Sequence, residues 1–568
     1  MLEQSAQSIS IFVSLICISL GPIFWNYSKS HQSAPESIPN DGGPQYPPTP
    51  KERHWLWKHG IALAGDGVSS HDIIFLQWMQ KLKSKVVMFE IPVLGRLIVV
   101  GDAALAKHVL QSKSKNGKGS AFPKSPTYSN VVPLIGKKSI VAMEGSEWFH
   151  QRRIFNPGFS PDYLKGTVRT IAQKCDRMLE CCDKEDITIG NVTDMCSRAI
   201  DLTSDVIAQV AFGEDWGYNS VEDNGGIQTL MAFRDLTHMI GDMMRNPINR
   251  LNPLFHWRMK QKSNEIDRDM RNLVKRRLAI IQSEKSNNNS TPQKDILSMT
   301  LSSVLDENES NRKSKTSKGS GSQFQSLSEM MFTENDMVCM TSQLKTFYFA
   351  GHDTTATTIA WAFWLLSMNP EALQKARDEI AEHLGTDWVD AVTKSNNYDN
   401  IIPEESTTWE NLQKCQYLDA ISRETLRLYP PAASTRYQPD LDATFGNYKL
   451  GKCIISLNAY AIQRDPDIWG EDADEFRPER FLGEEGRKKI SSFGFLPFSK
   501  GSRDCIGKYF ALLETKMALA ALVTRYDGKP VDADQEVYTA RLTSVPKNGC
   551  LVNLTRRAGA GRSSSTTA

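Results

Sequence analysis

The sequence predicts a mainly α protein with small β-sheets, on three observations. Apolar residues recur at helical spacing near 72–84, 102–111, 161–182, 197–212, 265–284, 334–367, 370–384, 416–428 and 506–525. Short strand-like runs occur near Val86–Ile91, Leu97–Val100, Tyr448–Leu457 and Cys550–Leu554. The composition, 40% hydrophobic, 23% charged and 9% aromatic over 568 residues, is that of a globular chain with a substantial core. With 67 basic against 66 acidic side chains, the net charge of +1 gives no electrostatic case for nucleic acid. Ten cysteines without a Cys-x-x-Cys pair argue against a zinc ribbon or a thioredoxin-like site. Cysteines this sparse point to a reducing compartment.

At the amino terminus, Ile9–Tyr27 (ISIFVSLICISLGPIFWNY) carries no charge. As a helix it would span roughly 28 Å, about one hydrocarbon core. A cleaved signal peptide is the alternative, but the region before it holds Glu3 and no basic residue. Lys29, Lys51, Arg53 and Lys58 follow it, so the positive-inside rule keeps the body cytosolic and makes residues 1–28 an uncleaved anchor. Residues 29–50 are rich in Pro, Gly and Ser and read as a semi-rigid hinge. A polar tract over about 306–323 reads as a mobile surface insertion, and 556–568 as a frayed tail.

Between these tracts, four constellations carry chemistry. Trp148 and Arg152 are an (i, i+4) pair on one helix face. Ala350-Gly-His-Asp353-Thr354-Thr355 lies within a long apolar helix. Gly351 and Asp353 could mark a helix break there, but an acid beside a hydroxyl in apolar surroundings is also what proton delivery to a buried oxygen species needs. Glu424 and Arg427 are three apart on a helix that Pro430 ends, with Phe476-Arg-Pro-Glu-Arg480-Phe481 downstream. Last comes Phe498-Ser-Lys-Gly501-Ser-Arg503-Asp-Cys505-Ile-Gly507 before a helical pattern. A cysteine at a helix N-terminus is favoured as thiolate, Gly501 and Gly507 allow close approach of a large flat ligand, and Arg503 offers a cation to its acidic groups. The signatures G-x-G-x-x-G, G-x-x-x-x-G-K-[ST], G-x-S-x-G and H-E-x-x-H are all absent.

In these four motifs and their order, the sequence resembles the cytochrome P450 family of haem-thiolate proteins. The family's F-x-x-G-x-R-x-C-x-G pattern is matched at every specified position. The resemblance implies the triangular, mostly helical P450 fold, with haem b as cofactor and residues 51–555 as one catalytic domain. It implies that Cys505 is the axial thiolate ligand to the haem iron, with Phe498 beside the sulfur. Trp148 and Arg152 would grip one haem propionate and Arg436 the other. Thr354 would hydrogen-bond oxygen during its activation, Asp353 would help relay protons, and a local opening of the helix at Gly351 would admit O2. Glu424, Arg427 and Arg480 would form a buried network that holds the core around the cysteine loop.

The leading functional expectation is a monooxygenase that places one oxygen atom in an apolar substrate. No flavin or nicotinamide module is evident, so electrons come from a membrane-bound NADPH–cytochrome P450 reductase, docking near Lys500 and Lys508 at the endoplasmic reticulum. An electron-independent isomerase or dehydratase of the same fold, and a non-enzymatic haem sensor or electron carrier, are the competing readings. The acid–alcohol pair Asp353–Thr354 favours the first. The roof over the substrate is expected from Phe122–Met143 and Met231–Met244, and the organisation resembles fungal microsomal members that modify secondary metabolites.

Overall fold

The longest helix, Glu334–Met368, is the axis about which the rest is arranged. Its start is a capping box, in which Thr333 and Asp336 each satisfy the other's backbone N–H. Its side chains are buried on nearly every side from Met337 to Leu366, as a helix apolar all round must be. Helices Met195–Phe212, Pro253–Ser286, Gln416–Leu428 and Lys508–Arg525 pack against it, and one large apolar cluster fills the spaces between them. The computed structural model describes residues 44–557 except 52–58, 60–69, 92–94, 114–119, 188–191, 218–225, 246–248, 250–251, 287–294, 317–331, 399, 533–537 and 541.

The principal sheet runs Val86–Ile91, Gly95–Val100, Cys453–Leu457, Ser434–Gln438. Val86 faces Val100 in the antiparallel first pair, Leu97 faces Ile454 in the parallel second, and Arg436 faces Ile455 in the antiparallel third. A second sheet joins Val192–Asp194, Leu551–Arg556 and Tyr526–Pro530, and Tyr538–Ala540 pairs with Ser544–Pro546. The architecture is therefore mainly α with small sheets, as the periodicities predict.

Several expectations need correction. The run 161–182 is two helices, Pro161–Lys165 and Val168–Cys181, and the run 265–284 belongs to a helix that begins at Pro253. Tyr448–Leu457 is not one strand: Gly451, at φ +60°, separates Tyr448–Lys449 from Cys453–Leu457, and the two pieces join different sheets. The polar tract after Asp306 is not irregular throughout, since helix Ile296–Thr316 continues into it. Ile296, Leu297, Leu301 and Leu305 nucleate that helix on the core, and extending a formed helix adds one hydrogen bond per residue fixed. Asn308 then ties it to Asp336 at 3.1 Å. The end of the expected hinge is docked on the body, where Gln45 N–H donates to Asn447 O at 2.8 Å and Met88 N–H to Pro48 O at 2.9 Å. The first residues of the expected tail are also held, with Arg556 donating to Ser395 O at 2.8 Å. No helix among the described residues is long and apolar enough to cross a membrane, and the anchor expected at residues 9–27 lies outside them.

Candidate functional site

A cavity of about 320 Å³ opens between the long helix and the segment that precedes helix Lys508–Arg525. Thr346, Ala350, Gly351, Thr354 and Thr358 form one wall, and Phe498, Cys505, Gly507 and Phe510 form another. Among the cysteines of the described residues Cys505 is the exposed one, and it is exposed to this cavity.

The loop that presents it is built from backbone geometry. Cys505 N–H donates to Phe498 O at 2.9 Å, which closes the loop over a 3-10 turn, Gly501–Arg503. Gly501 has φ +82°, and a Cβ there would lie 2.8 Å from Leu110 O, so the turn needs glycine for its own sake. At Gly507 a Cβ would meet only Phe159, at 3.8 Å, leaving its cavity side open. The helix begins at Lys508, so Cys505 stands just before its end rather than on it. Burial pushes the Cys505 thiol up, and the Gly507 N–H opposes this.

At one end of the cavity Lys124, Tyr128, Trp148 and Arg503 line the wall. The Arg503 guanidinium lies over the Trp148 ring at 4.0 Å from its centroid and pairs with Glu144. Lys124 Nζ donates to Tyr128 Oη at 3.3 Å. Arg436 is buried just behind, donating to Ser434 Oγ at 3.0 Å, and does not itself line the cavity. Burial pushes the pKa of Lys124, Arg436 and Arg503 down, and repulsion from Arg436 adds to this at Lys124 and Arg503. Glu144 pairs with Arg503 and lies within electrostatic reach of Arg436, so this end of the cavity holds more cationic than anionic side chains. Arg152, though it lines the cavity, is bound to the cysteine loop through Asp504 O at 2.8 Å and Asp504 Oδ1 at 3.0 Å.

The long helix is continuous through Gly351, with no local opening. A Cβ at Gly351 would lie 3.1 Å from Ile207 Cδ1, so this glycine lets the helix Met195–Phe212 approach closely. The Thr354 hydroxyl lines the cavity and donates to Ala350 O at 2.8 Å. Asp353 is buried and lies off the cavity, its carboxylate receiving a hydrogen bond from Thr543 Oγ1. Of the expected roof, Phe122–Met143 contributes Lys124, Tyr128, Ile140 and Val141, and the described side chains of Met231–Met244, which run to Met243, contribute nothing to the lining. Lys500 and Lys508, read as a basic face, bond to Ile490 O and to Asp504, each at 2.8 Å.

Away from the cavity, Arg427 forks onto Glu424 at 2.7 and 2.8 Å, both side chains fully buried, and Arg480 Nε stands 3.4 Å from Glu424 Oε1. The sequence places Lys124 and Tyr128 in the expected roof without singling either out, and does not point to Thr543. Lys124 and Tyr128 carry only the weak signal of two polar residues four apart in a loop, and Thr543 carries none.

Residues 47–551 match the model of one protein family, Cytochrome P450. The chain belongs to the cytochrome P450 family. Among curated relatives, Cytochrome P450 72A11 of Arabidopsis thaliana is 30% identical over 68% of this chain and 67% of its own. Secologanin synthase 1 of Catharanthus roseus is 28% identical over 76% of this chain and 74% of its own. The 11-oxo-beta-amyrin 30-oxidase of Glycyrrhiza uralensis is 29% identical over 78% and 77%. These relatives are plant proteins, which gives the fungal comparison no support. P450 proteins use haem held by a cysteine thiolate, and the residues present fit it. A thiol faces the slot, and the basic side chains Lys124 and Arg503 on its wall suit the carboxylates of haem b.

Proposed function

We propose that this P450 is a membrane-anchored monooxygenase that inserts one atom of O2 into an apolar substrate, a secondary metabolite or lipid, and releases the other as water. The observation that carries the reading is that Cys505 and Thr354 open onto one cavity. The relatives named as secologanin synthase and 11-oxo-beta-amyrin oxidase support the choice of substrate class.

Haem b, when bound, supplies oxygen activation, and the chain supplies everything that directs it. Cys505 holds the iron, while Arg152 braces the loop that presents the sulfur. Lys124, Tyr128, Trp148 and Arg503 hold the propionates, with Arg436 contributing charge from behind. The Thr354 O–H can swing from Ala350 O into the cavity at the loss of one hydrogen bond, about 1 kcal/mol. The surrounding apolar wall keeps water from competing with that donor. Glu424, Arg427 and Arg480 hold the frame around the cysteine loop. Electrons come from an NADPH–cytochrome P450 reductase, and residues 9–27 tether the protein to the endoplasmic reticulum with its body in the cytosol.

The test is Thr354→Ala in the full-length enzyme reconstituted with reductase. Haem content and the substrate-induced spin-state change should persist, while product per NADPH falls on the order of 10²-fold and hydrogen peroxide rises. Undiminished coupling would overturn the reading. Turnover of a hydroperoxide without reductase would then identify an electron-independent rearrangement.

A further inference from the structure

Asp353 and Thr354 are neighbours in sequence but not in aspect. At 3.6 residues per turn their side chains point about 100° apart. Thr354 lines the cavity, whereas Asp353 is buried in the wall beside it. There its carboxylate receives the hydroxyl of Thr543, itself buried, which immediately precedes strand Ser544–Pro546, the partner of Tyr538–Ala540. We infer that Thr543 is a positioning residue for proton supply, fixing Asp353 behind Thr354 so that the C-terminal strand pair becomes part of the proton route.

Three further observations support this assignment, which rests on the monooxygenase reading above. A carboxylate in this apolar wall is tolerable only with a donor, and a hydroxyl–carboxylate bond is among the stronger kinds. His352, the titratable neighbour, is turned elsewhere: its ring stacks on Tyr348 at 4.9 Å and its Nδ1 lies 2.7 Å from Tyr348 O. Burial holds that imidazole below its usual range, so it adds little compensating charge at neutral pH. Finally, Ser544 N–H donates to Pro431 O at 2.9 Å, and Pro431 lines the cavity. The segment that orients the acid is thus tied to the wall that a substrate would press on. A hydroxyl both donates and accepts, so Thr543 can give its proton to Asp353 while accepting one from the far side.

The test uses Thr543→Val, Thr543→Ser and Asp353→Asn in the full-length enzyme with reductase. In infrared spectra of the resting enzyme, the carboxyl band lost in Asp353→Asn should shift in Thr543→Val and return in Thr543→Ser. In turnover, Thr543→Val should lower product per NADPH about tenfold, the equivalent of one charge-assisted hydrogen bond, and raise the solvent isotope effect. Thr543→Ser should restore both, with the carbon-monoxide difference band and spin-state change intact throughout. If Asp353→Asn impairs coupling but Thr543→Val leaves the band and the coupling at parental values, the role of Thr543 is refuted and that of Asp353 stands. If Asp353→Asn is itself without effect, both fall. If Thr543→Val loses haem, Thr543→Ser decides: a serine variant that folds but keeps impaired coupling also refutes the assignment.

Discussion

Arg427→Ala should destabilise the protein by about 3–5 kcal/mol, the range for removing one partner of a buried ion pair. Arg427 and Glu424 have no solvent exposure, and their two bonds at 2.7 and 2.8 Å form a complete fork. The same guanidinium donates to Gln463 O at 2.9 Å, to Glu475 O at 3.0 Å and to Ala473 O. Truncation therefore strands a carboxylate and removes a donor from three carbonyls at once. Partial compensation remains, because Arg477 N–H donates to Glu424 at 2.9 Å and Arg480 Nε stands 3.4 Å away. This places the expected loss nearer the lower figure. Arg427→Lys keeps the charge but not the fork, and should recover less than half of it. A control is Lys375→Ala, where the partners Glu371 and Glu479 are solvated and the loss should stay below about 1 kcal/mol. Urea unfolding followed by circular dichroism and haem absorbance gives each difference. A loss for Arg427→Ala no larger than that for Lys375→Ala would refute the claim that this network holds the frame of the cysteine loop.

Burial pushes the Asp176 carboxyl up to about 7. A folded-state value raised above the unfolded one means that the native state binds the extra proton between about pH 4 and 7. Stability from this group is thus present at low pH and lost as pH rises through that window, by at most about 1.4 kcal/mol per pH unit. Asp176→Asn keeps an acceptor for Ile402 N–H, now bonded at 2.9 Å, and should flatten urea midpoints measured from pH 5 to 7.5. An unchanged slope would show that Asp176 does not titrate there. Deleting residues 1–28 should release part of the protein from alkaline-washed membranes, while efficient glycosylation at the Asn191-Val-Thr sequon of the full-length chain would place the body in the lumen instead.

What was legible in the sequence follows from how local each signal is. Val86–Ile91 and the helices at 334–367 and 416–428 declare themselves by periodicity, because burial of one face or of all faces is written into consecutive residues. Ser434–Gln438, with the sequence STRYQ, does not look like a strand and becomes one because the edge of Cys453–Leu457 is there to pair with. The motif spanning Phe498–Gly507 reveals a cysteine loop because its turn requires glycine at position 501. The rim of the cavity is different. Lys124 and Arg436 are brought together by a bridge between distant segments, which no local pattern encodes. The aspect of Asp353 was also hidden, since the motif gives its neighbour and not the direction in which its carboxylate points. At Gly351, hydroxyls of Thr354, Thr357 and Thr358 each donate to the carbonyl four residues earlier within the helix, and the helix runs unbroken through the glycine.

The central claim, that Cys505 carries the haem iron as a thiolate, is tested most directly by the carbon-monoxide difference spectrum of reduced Cys505→Ala and Cys505→His. The other cysteines of the described residues are buried, so none stands ready to replace it. Both variants should lose the red-shifted band that a thiolate ligand produces, with Cys505→His retaining the better haem content. Persistence of that band in either variant would mean that another residue holds the iron, and the account of the site would be wrong.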